Sequence, residues 1–169
     1  MKTRIALKEA QAVAQRFVEA IQDVCERAAV AGSVRRQKPT VGDIEIVCIP
    51  RHKLDLLGDP AESLLSPRLK RLEREGVLSL GKGGERYKQM VFEGYPVDLF
   101  ITTLECWGVN LTIRTGPAEF SKRLMISLPS GCRCREARIH DGAVLLDTPE
   151  EEDVLELCGL GWIEPKDRQ

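Results

Sequence analysis

Two acidic residues two positions apart, Asp43 and Glu45, have the spacing in this chain that most directly suggests chemistry. They alternate with Ile44 and Ile46, and successive side chains of a β-strand point to opposite faces. A strand here would bury both isoleucines and set both carboxylates on the other face. Neighbouring carboxylates repel unless a proton or cation lies between them, and Mg²⁺ commonly takes one or two carboxylates plus substrate phosphates. The pattern predicts a divalent-cation site, although alternating acids are also common on solvated strand edges.

A third acid, Asp98, lies within the apolar run of residues 97–101, which predicts a strand. A buried aspartate costs free energy unless it is paired or bound to a metal, so its position is more diagnostic than that of either earlier acid. If this strand lies beside the one that carries Asp43, then Asp98 completes a cluster of three carboxylates.

The segment before the first two acids predicts an anion-binding turn. Gly32 and Ser33 would open a short helix whose free backbone N–H groups, with the Ser33 hydroxyl, could hold a phosphate. Gly32 would let the backbone approach closely, and Arg35 or Arg36 would add a charged donor. Gly-Ser turns are common alone, but the combination with paired acids at this spacing is far less common.

The elements around these residues indicate an α+β chain. Apolar residues at helical spacing predict a helix over residues 8–27, packed on a sheet. A loop over residues 50–60 and a helix over 61–74 would follow, then strands over 77–80 and 86–92 around a glycine-rich turn that lacks P-loop spacing. The last helix would have Thr148 as its N-cap and Glu151 closing a capping box.

Composition places the chain among ordinary globular proteins. It has 169 residues, 43% hydrophobic and 30% charged, with a formal net charge of −1 and no apolar run that approaches the roughly 20 residues of a membrane span. We expect an intracellular protein. Its six cysteines lack paired zinc-site spacing, so we expect reduced and mostly buried thiols, with Cys132 and Cys134 incidental. Residues 114–138 hold six basic and two acidic side chains, a local charge of +4 that could follow a nucleic-acid backbone or simply be solvated.

Together these motifs resemble a known family. Gly-Ser-x-Arg-Arg from Gly32, followed after five residues by Gly-Asp-Ile-Glu-Ile from Gly42, is similar to the palm signature of the family X DNA polymerases, the group containing polymerase beta, within the nucleotidyltransferase superfamily. Residues 96–100 resemble the later strand that bears the family's third carboxylate. Further similarities are Trp107-Gly108-Val109, Thr115-Gly116 with Phe120, Lys122 and Arg123, and, at the C-terminal end, Glu151, Asp153, Val154 and residues 164–168.

The resemblance implies a palm with a mixed sheet and helices on one side over residues 1–104, then a small α/β thumb-like subdomain over residues 105–169. It implies a DNA-directed DNA polymerase that extends a primer 3′-hydroxyl in gap filling or repair. Asp43 and Glu45 would ligate two Mg²⁺ ions, with Mn²⁺ as a possible substitute, and Asp98 would ligate the catalytic one. The triphosphate and nucleotide would contact Arg4, Gly32, Ser33, Arg36, Gly42, Thr115 and Gly116. DNA would contact Arg114, Lys122, Arg123, Arg133 and Arg135.

The expected partners are primer-template or gapped DNA and nucleoside triphosphates, with no membrane, for a monomer in the cytoplasm, or the host cytoplasm if the protein is viral. The chain departs from the family at Glu45, where an aspartate is usual, and at Ile113-Arg114, where aromatics pack on the sugar. In the family, some polar positions face the base pair or template, and in this chain those positions are Ala118, Ser121 and Met125. With little chain before Arg4, we expect no lyase activity.

Two other functions stay open. The same carboxylates could serve a template-independent enzyme, or one that modifies RNA, a small molecule or a protein. A binding module with a decayed site would retain the fold alone.

Overall fold

In this computed structural model, residues 4–169 are described, and they form a mixed α+β structure. The helices are α1 (Leu7–Ile21), α2 (Gly32–Arg35), α3 (Leu65–Arg74), α4 (Trp107–Thr115), α5 (Ala118–Ile126) and α6 (Glu151–Leu157). The strands are β1 (Ile5–Ala6), β2 (Cys25–Val30), β3 (Thr40–Val41), β4 (Ile44–Pro50), β5 (His52–Leu54), β6 (Pro60–Ser63), β7 (Leu78–Gly83), β8 (Tyr87–Phe92), β9 (Tyr95–Ile101), β10 (Cys132–Arg135), β11 (Arg138–Asp141) and β12 (Val144–Leu145). No helix in this part of the chain has the length and apolar character to cross a membrane.

A five-stranded mixed sheet carries the predicted acids. Its strand order is β2-β4-β9-β8-β7, with β4 and β9 parallel and the other neighbours antiparallel. The predicted strands over residues 77–80, 86–92 and 97–101 are confirmed as β7, β8 and β9, although β7 continues through Gly83 into the predicted glycine-rich turn. The expected pairing is also confirmed, because the strand with Asp98 lies directly beside the strand with Glu45.

The two faces of this sheet serve different purposes. Ile44 and Ile46 of β4, with Val97 and Leu99 of β9, are fully buried in a core that includes residues of α1 and α3. Because side chains alternate along a strand, the acids at positions 45 and 98 lie on the opposite face. That face is covered in part by a smaller cluster whose buried members are Ala31, Val47, Ile49, Phe100, Trp107 and Leu111.

A third cluster lies in the C-terminal part of the chain, among α4, α5, α6 and β11. Its buried members are Cys106, Val109, Phe120, Leu124, Ile139, Val154, Leu155 and Cys158. The subdomain boundary at residues 104–105 stays a prediction, and the cluster that joins Phe100 with Trp107 crosses it.

Three predictions about elements were wrong in their limits. The helix predicted over residues 8–27 ends at Ile21, and Cys25–Val30 is an edge strand that pairs with β4. The predicted loop after Pro50 contains the hairpin of β5 and β6, and the next helix begins at Leu65 instead of residue 61. Helical spacing continues through Val24, but pairing with an open sheet edge decides the conformation of the residues that follow.

The last helix also begins later than predicted. Its N-cap is Glu150, not Thr148, and the Glu150 backbone N–H donates to Asp153 Oδ2 at 2.8 Å. Thr148 instead links loops, since its N–H donates to the Glu105 carbonyl at 2.7 Å. Glu151 is consequently the first helical residue and is free to take charged partners.

All six cysteines are free, and four of them are buried, as expected.

Candidate active site

Glu45 and Asp98 are direct partners across the parallel pair of β4 and β9. Both side chains are half-buried, so both remain open to solvent on the face opposite the main core. Their adjacency follows from the sheet register, because each lies between core residues that fix which way its strand faces. The predicted convergence of these two acids is confirmed.

The prediction that Asp43 shares a strand with Glu45 was wrong. Asp43 lies in a bend between β3 and β4, not in the strand, so strand alternation does not orient it. Its charge nevertheless acts on Glu45: burial first, and the Asp43 charge second, raise the pKa of Glu45 to about 7. Asp98 adds to this rise, and Arg114 and Arg36 oppose it. The three acids therefore form one electrostatic unit around Glu45.

The Gly32 turn packs directly on this unit. Gly32 begins α2 with φ +60°, and a Cβ there would lie 1.9 Å from Glu45 Oε2. An L side chain is strained at this φ and would also collide with the carboxylate. The glycine is therefore required by both conformation and space, and the predicted helix at Gly32 is confirmed with only four residues.

The two arginines after this turn have different environments. The residue types alone left open which of them would lie at the acids, and the family resemblance implied Arg36. Arg35 faces away from the acids and donates to Glu151, with Nη2 to Oε2 at 2.5 Å. Arg36 stays at the site: its Nη1 donates to the Thr115 carbonyl at 2.5 Å, and its Nε is buried without a partner in the described chain. Burial lowers the pKa of Arg36, while the Glu45 charge raises it. Of the two arginines, Arg36 is therefore the one that could donate a hydrogen bond to an anion at the site.

Arg35 belongs instead to a buried ionic network, which we call the Glu151 network (Arg35, Glu151 and Arg168). Arg168 Nη1 donates to Glu151 Oε1 at 2.5 Å, and the two side chains are 0% and 5% exposed. Arg35 Nη1 also donates to Thr115 Oγ1 at 2.8 Å. Hydrogen bonds from both arginines lower the pKa of Glu151, against the effect of burial. This network joins α2, α4, α6 and the C-terminal residues.

Arg114 lies at the acids and was predicted as a DNA contact. It is half-buried, with its guanidinium carbon 3.9 Å from the centre of the Phe100 ring. Burial lowers its pKa, and the charges of Glu45 and Asp98 oppose this effect. Its Nε is buried without a partner in the described chain. The spacing gave no sign of this position, because α4 brings Arg114 back over the sheet.

Tyr87 is a site residue that the sequence did not suggest. Its hydroxyl donates to Asp98 Oδ1 at 2.8 Å from the neighbouring strand β8. Burial and this hydrogen bond raise the pKa of Tyr87 to about 12, so the hydroxyl keeps its proton at neutral pH. A period-two pattern in residues 87–92 could have shown which face Tyr87 shares, but not that it meets Asp98.

A cavity of about 850 Å³ opens on this side of the sheet. Its lining includes Glu45, Asp98, Tyr87, Arg114, Arg86 and Arg138. The cavity is large enough for a ligand of nucleotide size, and it presents acids and arginines together.

The other predicted residues are distributed around the site. Ser33 and Gly42 are half-buried near the acids, and a Cβ on Gly42 would have nothing within 4 Å. Thr115 is buried and held by both arginines, and Gly116 ends α4 against Phe120. The remaining predicted contacts are exposed side chains: Arg4, Lys122, Arg123, Arg133 and Arg135.

Within residues 4–169, no three His, Cys, Asp or Glu side chains are arranged as a group that could hold a metal ion. The acids form a directly paired core of Glu45 and Asp98, with Asp43 acting on it through charge. Mg²⁺ sites are typically of this kind, with one or two carboxylates completed by substrate phosphates and water instead of a full protein cage. The donor set fits such an ion.

No protein-family model matches the chain, and no curated protein matches it.

Proposed function

We propose that this chain is a nucleotidyltransferase of the polymerase beta-like family X type, a DNA-directed DNA polymerase that fills gaps or repairs ends. The observation that carries the proposal is the pairing of Glu45 with Asp98 on parallel strands, with the Gly32 turn packed on Glu45. This arrangement sets an acid pair beside a close-approach glycine turn. The proposed fold is the superfamily's palm, followed by a small thumb-like subdomain.

The residues that would hold divalent ions are Asp43, Glu45 and Asp98, with Mg²⁺ as the expected ion and Mn²⁺ as a substitute. When bound, such ions lower the pKa of the attacking hydroxyl and neutralise the leaving pyrophosphate. The chain's part is to keep these acids close and accessible, and a bound cation would favour the ionised form of Glu45. The raised pKa of Glu45 supports a functional role, because burial and the Asp43 charge make the ionised carboxylate less stable in the metal-free protein, and such perturbed groups are concentrated at functional sites.

The Gly32 turn and Arg36 would bind the triphosphate. The Ser33 hydroxyl and the backbone N–H groups of the turn supply neutral donors, and Arg36 supplies a charged one whose Nε has no protein partner in the described chain. The Thr115 carbonyl orients Arg36 through its hydrogen bond to Nη1. Substrate phosphates would therefore be held on the Gly32 side of the acids, and a primer end would approach from the cavity.

The exposed basic residues of the C-terminal part would contact the DNA backbone. Lys122 and Arg123 lie on α5, and Arg133 and Arg135 on β10. Such contacts give affinity without sequence preference.

Primer extension tests the proposal. Wild-type protein should extend a labelled primer on gapped DNA with Mg²⁺ or Mn²⁺, and Asp98→Asn should lower the rate by more than about 100-fold, beyond the usual cost of losing an outer-shell partner. Glu152→Gln, an exposed acid on α6, is the control and should match wild type. Extension of single strands without a template would favour a template-independent enzyme. Full activity of Asp98→Asn would contradict the proposal.

A further inference from the structure

Tyr87 and Asp98 meet across two neighbouring strands in a way that fixes one carboxylate oxygen. The Tyr87 hydroxyl donates to Asp98 Oδ1 at 2.8 Å. In the antiparallel register of β8 and β9, Asp98 lies directly opposite Gln89, and Tyr87 lies opposite Phe100. The hydrogen bond is thus a diagonal contact, which a long side chain can make on one face of a sheet.

The Tyr87 ring is held independently of this hydrogen bond. It packs on Phe100 with ring centres 5.3 Å apart and planes inclined at 32°. It also packs against the buried cluster that contains Phe100 and Trp107. Packing therefore sets the position of the hydroxyl, and the hydroxyl in turn restricts rotation of the Asp98 carboxylate.

We propose that Tyr87 is a positioning residue for Asp98. The Tyr87 hydroxyl holds Asp98 Oδ1, so that the other carboxylate oxygen faces Glu45 and the proposed divalent ion. This role rests on the proposed function. A carboxylate that binds an ion through one oxygen commonly has the other oxygen held by a donor, and loss of such a donor typically weakens ion affinity or activity about 10–100-fold. A phenol is a suitable donor because it is neutral and keeps its proton at neutral pH.

The chain supplies a matched control. It contains two tyrosines, and the second, Tyr95, also donates to a carboxylate, Glu9 Oε1 at 2.5 Å. That pair lies at the exposed end of β9, outside the cavity lining. Tyr→Phe at each position removes one hydroxyl and preserves the ring, so a difference between the two variants reports on Asp98 alone.

Mn²⁺ binding provides a test that does not depend on catalysis. Free Mn²⁺ would be measured by electron paramagnetic resonance during titration of wild-type protein, Tyr87→Phe, Tyr95→Phe and Asp98→Asn. We expect the Mn²⁺ dissociation constant of Tyr87→Phe to rise about 10–100-fold, as for other outer-shell partners, while Tyr95→Phe matches wild type. Replacing Tyr87 by 4-aminophenylalanine, which keeps a donor on the ring, should restore much of the affinity.

Kinetics on gapped DNA give a second readout. Tyr87→Phe should lower kcat and leave the KM for the nucleotide nearly unchanged, because the proposed contacts of the nucleotide's triphosphate lie on the Gly32 side. Melting temperatures of both phenylalanine variants check that the fold is kept. Wild-type Mn²⁺ affinity in Tyr87→Phe, alongside a loss in Asp98→Asn, would overturn the role of Tyr87 alone. Wild-type affinity in Asp98→Asn would instead contradict the proposed function, and this role with it.

Discussion

Glu45 and Glu151 are the same side chain in two regions of one molecule, and both are removed in part from water. Glu151 is 5% exposed and accepts hydrogen bonds from Arg35 and Arg168, which lower its pKa. Glu45 has two acidic neighbours, and its pKa rises to about 7. Burial raises the pKa in both places, so the difference comes from their partners.

This difference indicates that the Glu151 charge has a structural role and the Glu45 charge a functional one. In the Glu151 network, two guanidinium groups surround one carboxylate, which suits a junction between α2, α6 and the C-terminal residues. Around Glu45, burial is the largest cause of the raised pKa and the Asp43 charge is the next, while Arg114 and Arg36 oppose them, so a bound cation would favour the ionised carboxylate. Strongly perturbed groups of this second kind are concentrated at functional sites.

Removing the carboxylate charge from the Glu151 network should have the largest effect on stability. Glu151→Gln leaves Arg35 and Arg168 without a counter-charge, and breaking a buried pair in this way typically costs about 3–5 kcal/mol. Urea unfolding would measure this loss, with the exposed neighbour Glu152→Gln as the control. A loss below about 1 kcal/mol, the range of a surface pair, would remove the contrast between the two regions.

The matching change at Glu45 should have the opposite sign. The pKa of Glu45 is raised above its ordinary 4.5, so the folded state binds the proton more tightly, and metal-free stability should fall as pH rises from about 4.5 to about 7. Glu45→Gln removes this cost and should be more stable than wild type at pH 8 by on the order of 3 kcal/mol, converging with it near pH 4.

Unfolding of both proteins at several pH values, with a chelator present, would measure this difference. Added Mn²⁺ should stabilise wild type and not Glu45→Gln. A Glu45→Gln variant that is less stable than wild type at pH 8 would show that Glu45 has a stabilising protein partner.

Gly32 links the two regions, since it contacts Glu45 and opens the helix that carries Arg35. Gly32→Ala introduces a side chain at φ +60° and 1.9 Å from Glu45 Oε2. We expect a cost of about 1–3 kcal/mol from backbone strain alone, with loss of primer extension. Gly161→Ala is the control, because a Cβ there meets nothing within 4 Å. An active Gly32→Ala enzyme would show that the turn can move away from the acids.

Arg133 and Arg135 lie outside both regions, and their effect should be the smallest. Replacing both by alanine should leave stability unchanged and lower the salt dependence of DNA binding, by about 0.9 in the slope of log K against log salt for each phosphate that the protein no longer neutralises. Fluorescence anisotropy at several salt concentrations measures that slope. An unchanged slope would show that these arginines are only solvated.

Local patterns were sufficient to predict the placement of Glu45 and Asp98 and the turn at Gly32, but not that Asp43 lies in a bend. Alternation with buried isoleucines oriented Glu45, and the apolar run around Asp98 predicted its strand. A close approach at Gly32 was predicted because glycine has no Cβ, but its positive φ and its contact with Glu45 were not. These inferences depend on residues near one another in sequence.

Contacts between distant segments could not be predicted in this way. The helix predicted over residues 8–27 overlaps Cys25–Val30, yet these residues form a strand because β4 offers an edge to pair with. Arg114 and Tyr87 reach the acids only through the packing of α4 and β8 on the sheet, which no local spacing encodes. The choice of Arg36 over Arg35 at the site likewise depends on Glu151, which lies far along the chain and takes Arg35 as its partner.

Anomalous X-ray diffraction from crystals of the protein with Mn²⁺ and a non-hydrolysable nucleoside triphosphate tests the central claim most directly. We predict an anomalous peak bounded by carboxylate oxygens of Asp43, Glu45 and Asp98 and by the triphosphate, with the phosphates on the Gly32 turn. A triphosphate bound elsewhere would contradict the claim. So would a bound triphosphate with no anomalous manganese peak at these three carboxylates.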